Sequence, residues 1–401
     1  MLHSSLHAAG IGDVRSRLVR LIPEDGNAET VAIKRFFNHR LPKTNPKQDW
    51  NDLLEATHPL WNDISSPKRE LIRSYLISFN LEVVKRMRPS SRFDFSGASI
   101  GNLFLTGARL FTGSFEAAIY LLSSICNVPD RIAVLPALNT NFAHHIAAGL
   151  ENGDIIQGQN DISHPSTPTA AVPGTSTGVH TPMPDTEEHD KIEDANLPGS
   201  LPALRRPAID FSKEQEEDLP CRIDRIWYIN PYGQEIRIPA NPRTLEALSS
   251  ANSIIYSIGS LFTSLIPNLV LKGVGEAIAS PMVRNKILIL NGTIDRETGP
   301  STKPFTALDF VRAISNACAS SRGLPRPTED DFSTYVTHVI HLEGAGSPAV
   351  DKTLFAQLGI DTMRLYGPKA RYDATALGQT LETIIGRKDI GTRSRRNTLV
   401  G

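Results

Sequence analysis

Cysteine is scarce in this chain: three residues among 401, Cys126, Cys221 and Cys318. They stand far apart, with no Cys or His at metal-ligand spacing, so neither a disulfide framework nor a zinc site is indicated. A reducing, cytoplasmic setting is the expectation. Excess charge of either sign is missing as well. Lys and Arg number 42 against 43 Asp and Glu, a net charge of −1, which argues against a dedicated nucleic-acid binder. The only basic run, GRKDIGTRSRRN (386–397), reads as a frayed, solvated end. The opening MLHSSLHAAGIG lacks a basic region followed by an apolar core, so it is not a secretory signal. Long apolar runs are absent too. The nearest, NSIIYSIGSLFTSLIPNLVLKG (252–273), is broken by serines, a threonine, two glycines and a proline. A lone helix gains little by carrying those groups into lipid, and no membrane partner is expected.

What is present is an ordinary globular composition, 40% hydrophobic and 21% charged, in a chain long enough for a large core or two domains. Residues 65–87 repeat apolar side chains every three or four positions, which predicts an amphipathic helix. Residues 101–128 read as two helices divided near Thr112 and Gly113, with Thr112 or Ser114 as the second N-cap. RIAVLPALN (131–139) predicts a short strand entering a Pro/Asn turn. Asn152–Gly153 between alternating runs predicts a hairpin.

From Ser163 to Pro220 the chain is rich in Pro, Ser, Thr and Gly, then acidic. Such a segment buries too little apolar surface to offset its ordering entropy, so a disordered insertion is expected between residues 1–162 and 221–401 of one α/β domain. Beyond it, CRIDRIWYIN and QEIRIPA predict strands around PYG, and NPRTLEALSSA predicts a helix. SIIYSI, KILILN and THVIHL predict buried strands separated by helices over 274–279 and 306–319. Alternating strands and helices with near-continuous apolar strands mark a parallel sheet covered on both faces. Residues 252–273 are then a strand, a Gly-Ser turn at its carboxyl end and a following helical segment. Ligands of open α/β sheets sit outside those strand ends, and a Gly-Ser turn offers N–H and hydroxyl groups to a phosphate. A plain tight turn reads the same way.

The company of that turn is more specific. GIGDVRSRL (10–18), GASIGNLFL (97–105), VLPALNTN (134–141), ENGDIIQGQNDIS (151–163), SIGSLFTSLIPNL (257–269), ILILNGTIDRETG (287–299) and ARYDATALGQTL (370–381) follow in this order. Together they resemble the CofD/YvcK family, over most of the chain outside the insertion. The resemblance implies a Rossmann-like, doubly wound and mainly parallel sheet with a helical N-terminal portion. It also implies a nucleotide diphosphate held across the strand ends. In one branch, a magnesium-dependent 2-phospho-L-lactate transferase moves a phospholactyl-type group from a guanosine-diphosphate donor to a deazaflavin alcohol, releasing GMP. In the other, a gluconeogenesis or cell-shape factor binds a UDP-sugar. The expected partner is a nucleotide or nucleotide sugar, with a homodimer left open.

Carried over residue by residue, Gly12, Asp13 and Arg15 match a Gly-Asp-Ile-Arg turn opening a helix, apt for phosphate. The plainer reading has Asp13 capping the helix and Arg15 on its exposed side. Gly101 and Asn102 match a Gly-Asn helix start, where Asn102 binds a ligand or merely caps. Asn139 and Asn141 reach the ligand or close an Asx turn. Gly259, Ser260, Thr263 and Ser264 line the phosphate site, and Asn291 faces the same cleft. His144 and His145 lie beside these motifs, and His338 and His341 read as strand residues. No residue stands out as catalytic. The chain also departs from the family. A first strand with a Gly-Gly-Thr-Gly loop, and the acidic residue expected to hold magnesium, have no counterpart before Gly10, so a shortened start and a poorly soluble or partly folded chain are expected. Ala98 stands where the family has histidine. Transferase, UDP-sugar sensor and an incomplete polypeptide that binds nothing tightly are the competing readings.

Overall fold

The computed structural model describes residues 11–87, 93–140, 144–163 and 218–386. They divide between two compact units, with the boundary at His144–His145. The insertion expected over 163–220 falls outside the described residues except at its two ends. There, Ser163 closes a short helix and Leu219 is buried. Asn141 also lies outside them.

The first unit is helical: α1 Ile11–Arg20, α2 Ala28–Asn38, α3 Pro46–Leu54, α4 Ser66–Arg86, α5 Ile100–Thr112 and α6 Phe115–Ile125. The periodicity that predicted α4 turns Ile72, Tyr75, Leu76, Phe79 and Val83 inward. Aromatic rings fill much of this core. Phe36 and Phe37 meet edge to face, and Trp50 stacks on Phe95 at 5.3 Å; such pairs add specific geometry to area burial. Gly113 takes the left-handed conformation that ends α5, and Ser114 caps α6 by accepting from the Ala117 amide. The strand expected over 131–139 does not form. Pro136 has no N–H to give a ladder and Ile132 is exposed, so the segment runs irregularly, with Val134 packed against the helical core.

The second unit carries two sheets. β1 His145–Leu150 and β2 Ile155–Gln157 form the expected hairpin, with Gly153 at φ 90°. The short α7, Gln159–Ser163, follows. β3 Ile223–Ile229 pairs with β1 and with β4 Glu235–Ile236, all antiparallel, in the order β2-β1-β3-β4. After α8 Pro242–Ser250 comes a parallel sheet. It is built from β5 Ser253–Tyr256, a π-helical turn Leu261–Leu265, α9 Ile266–Leu269, α10 Val274–Ala279, β6 Asn285–Ile289, α11 Ala307–Arg322, β7 His338–Leu342, α12 Lys352–Gln357, β8 Asp361–Leu365 and α13 Ala374–Gly386. Its order, β5-β6-β7-β8, advances in one direction without reversal among the described strands. β6 is buried at every position: Ile287, Leu288 and Ile289 as the apolar run predicts, and Asn285 and Lys286 with them. β5 is not: Tyr256 is buried but Ile255 is 40% exposed. The expectation of a strand covered on both faces fails here because β5 pairs with β6 alone among the described strands.

No described helix is long and apolar enough to cross a membrane; residues 252–273 are divided among β5, a turn, the π-helical turn and α9. All three cysteines are free, and burial pushes the Cys126 thiol up to about 12. α11 starts with a capping box in which Thr306 and Asp309 bond each other's amides. Thr306→Ala is expected to lower stability by about 1 kcal/mol, read as a shifted urea midpoint at constant slope.

Candidate functional site

Parallel pairing of β5 with β6 sets their carboxyl ends side by side, and the loops leaving them meet. Asn291, two residues past β6, accepts from the Gly259 amide at 3.4 Å and donates to the Gly259 carbonyl at 3.0 Å. One side chain thus satisfies both backbone polar groups of Gly259. Ser260 then closes the π-helical turn: its carbonyl accepts from Ser264 and Leu265 at 3.1 and 3.2 Å. Gly259 and Ser264 are exposed and Ser260 is half-buried. A Cβ on Gly259 would stand 3.7 Å from that of Ser264. Gly259, Ser260, Ser264 and Asn291 therefore share one exposed corner of the second unit. Neither serine hydroxyl hydrogen-bonds to a described residue, which leaves both as donors for an anion.

Thr263, expected to line the same site, does not. It is buried, and its hydroxyl donates to Glu297. Glu297 Oε2 also accepts from the Phe262 and Thr263 amides at 2.8 and 3.0 Å. Sequence reasoning missed Glu297 although it lies within the quoted stretch 287–299. The available signal was Asp295 followed by Glu297–Thr298, a short capped turn that carries a carboxylate. Burial is the largest influence on that carboxylate. Burial and nearby Asp295 together outweigh the Thr263 hydroxyl and the two amides, and push it up to about 7.

The first unit gathers a different set. Arg15 lies half-buried along the start of α5. A Cβ on Gly101 would come within 2.6 Å of Arg15 Cγ, so only glycine lets the guanidinium stem pass. A Cβ on Gly12 would stand 3.9 Å from Asn102 Nδ2, an ordinary contact that places the two residues side by side. Arg15 donates to Asn38 at 3.2 Å, yet Arg15 Nε, Asn102 Oδ1 and the hydroxyl of the N-cap Ser99 are buried without a partner. Burial, then Arg40 and Arg20, lower the Arg15 pKa, and no carboxylate is among these influences. That combination suits an anion. Asp13, in the first turn of α1, is exposed and takes no part, and Arg15 is half-buried where the plainer sequence reading put it on the exposed side. Asn139 is exposed in the irregular segment and bonds to neither group. His144 is half-buried, its pKa lowered by burial, while His338 and His341 lie in β7 as expected.

Magnesium needs oxygen ligands with free lone pairs. At the Gly259 turn the buried carboxylate, Glu297, has both oxygens engaged by the loop. In the first unit His39, Asp49 and His58 approach one another closely enough for a metal. Asp49, however, spends one oxygen on His39 at 3.2 Å and the other on His58 at 3.0 Å. His58 Nδ1 accepts from the Leu60 amide, so its neutral ring carries the proton on Nε2, toward Asp49. This is a hydrogen-bonded clasp. The described residues do not fit magnesium at either place.

The family model described as 2-phospho-L-lactate transferase CofD matches residues 1–358. The chain belongs to the CofD family. It is similar to the uncharacterized protein YNL011C of Saccharomyces cerevisiae, at 36% identity over 87% of this chain and 82% of that one. The gluconeogenesis factors of Halalkalibacterium halodurans and Bacillus subtilis are 26% and 25% identical over 65% and 64% of this chain and 61% of each factor. A Bacillus halodurans crystal structure assigned to the UPF0052 family aligns with a TM-score of 0.46 at 22% identity, covering 78% of this chain and 81% of that one. Within this CofD-family chain, eight of the residues matched to the family's motifs fall into two groups, while Asp13, Asn139 and Thr263 belong to neither. Gly12, Arg15, Gly101 and Asn102 meet in the first unit, and Gly259, Ser260, Ser264 and Asn291 meet in the second.

Proposed function

We propose that this CofD-family chain binds a nucleoside-diphosphate ligand at the Gly259–Ser260 turn. There it acts as a 2-phospho-L-lactate-transferase-type enzyme, moving a phosphoester-linked group with release of a nucleoside monophosphate. The observation that carries the reading is the Asn291 clamp. By taking both polar groups of Gly259, it holds the turn open at the strand ends with the Ser260 and Ser264 hydroxyls free. In the reaction an acceptor hydroxyl attacks the distal phosphorus. The bond from that phosphorus to the bridging oxygen breaks, its electrons leave with the nucleoside monophosphate, and the acceptor's proton passes to solvent. The chain's contribution is positioning and hydrogen-bond donation to the phosphate oxygens, where most of the barrier reduction in such reactions arises. Ala98 offers no acid or base, and no residue is assigned that role.

A second reading is a non-catalytic UDP-sugar-binding regulator. Two observations favour it: the relatives named gluconeogenesis factors, and a turn whose buried carboxylate is fully engaged by the protein itself. Calorimetric titration with GDP, UDP and UDP-glucose, with and without magnesium, separates the two. Magnesium-dependent binding that prefers guanine supports the transferase. Metal-independent UDP-glucose binding supports the regulator. Ser260→Ala is expected to weaken binding about tenfold, the loss of one hydrogen bond to a charged group. Absence of binding by any of the three at millimolar concentration rejects both readings.

A further inference from the structure

We propose that Glu297 is the positioning residue of the Gly259–Ser260 turn, holding the π-helical turn in place from a segment more than thirty residues away. The inference rests on the anion-site reading above. Glu297 is 2% exposed, and carboxylates are seldom buried unless paired or hydrogen-bonded. No cation forms an ion pair with it among the described residues. Its partners are the Phe262 and Thr263 amides and the Thr263 hydroxyl. These two amides lie at the start of the π-helical turn, where helical N–H groups have no partner within the helix. Ser260 takes the next two. An internal carboxylate thus fills the helix end, and an arriving phosphate finds the exposed corner made by Gly259, Ser260 and Ser264.

The arrangement has a further consequence. A carboxylate one turn from a bound phosphate meets a second negative charge in a poorly solvated place, and a proton relieves the repulsion. The charged groups of the described residues around it are Asp295 and Arg296 from its own segment, Asp161 on α7 and Asp218, which accepts from the Ser301 amide and lies beside Gly299; the π-helical turn brings none. With the carboxyl pushed up to about 7, it is largely ionised at pH 8 in the free protein. Anion binding at that pH is therefore expected to draw a proton from solution.

The test uses the full chain, Glu297→Gln and Glu297→Ala, with pyrophosphate, GDP and UDP-glucose as probes. Calorimetry at pH 8 in two buffers of different ionisation enthalpy reads proton uptake, and amide exchange of the ligand-free proteins reads residues 262 and 263. Expected are a measurable uptake in the wild type that is lost in Glu297→Gln, and binding about tenfold weaker in Glu297→Ala, where the two amides lose their acceptor altogether. Exchange at 262–263 should be at least about tenfold faster in Glu297→Ala. Equal uptake in wild type and Glu297→Gln overturns the proposal, and so does unchanged protection in Glu297→Ala. If the wild type binds none of the probes, the nucleotide reading fails. The exchange result then still decides whether Glu297 holds the turn.

Discussion

Gly107→Ala is expected to destabilise the first unit by about 3 kcal/mol, at the upper end of ordinary overpacking. Gly107 lies in α5 where α4 crosses it. An ideal Cβ there would sit 2.0 Å from the Tyr75 carbonyl oxygen, 2.9 Å from its carbon and 3.1 Å from Phe79 Cβ. The obstacle is helix backbone, which cannot swing aside as a side chain does. The two helices must separate, opening the packing around Phe79 and Phe104, both buried completely. Alanine's better helix propensity returns about 1 kcal/mol, which is too little to offset this. Gly113→Ala is the control. Nothing lies within 4 Å of its Cβ position, but its φ is +70°, so the cost is conformational, about 1 kcal/mol. Denaturant unfolding of the two variants measures the difference. Equal midpoints would mean that α4 and α5 are not packed as closely as the structure shows.

The second large effect is a pH dependence located at Glu297. Burial pushes its carboxyl up to about 7 in the folded protein, against an unfolded value near 4.3. The folded state therefore holds the proton more tightly. Stability from this group is fully present below the unfolded value, falls as pH rises through the interval, and is gone above the folded value. The loss amounts to about 3 kcal/mol between pH 4 and pH 8. Other carboxylates, such as Glu29 with its pKa lowered chiefly by its hydrogen bonds to Ser65, titrate with the opposite sign, so the quantity to measure is a difference. Unfolding free energies of wild type and Glu297→Gln, taken across that range, should diverge by about 3 kcal/mol, with the variant losing less. Parallel pH profiles would place the carboxyl in a far more solvated site than the structure does.

Some of this was legible without coordinates. Apolar spacing alone marked α4 and α11, because a helix core face repeats at 3.6 residues whatever lies opposite. Asn152–Gly153 marked the β1–β2 hairpin because the turn needs a residue that tolerates positive φ, and Gly153 supplies it. Near-continuous apolar runs marked β6 and β7, and the ordered motifs marked the family. The segment 131–139 misled, since apolar residues there pack on helices and find no partner strand.

Other features depended on which elements became neighbours. A strand's own residues do not state whether it ends a sheet, so Ile255 reads as core and stands 40% exposed. Nothing local ties Asn291 to Gly259, 32 positions away; their bond exists because β5 and β6 pair in parallel and bring their ends together. Thr263 reads as a ligand donor until a buried carboxylate from the next loop claims its hydroxyl. Arg15 and Asn102, each plausible as a helix-end residue, become an unsatisfied polar cluster only when α1 lies against α5. Sequence periodicity determines which face of an element turns inward. The partner that meets that face, and hence which polar atoms are left free for a ligand, is decided by tertiary packing.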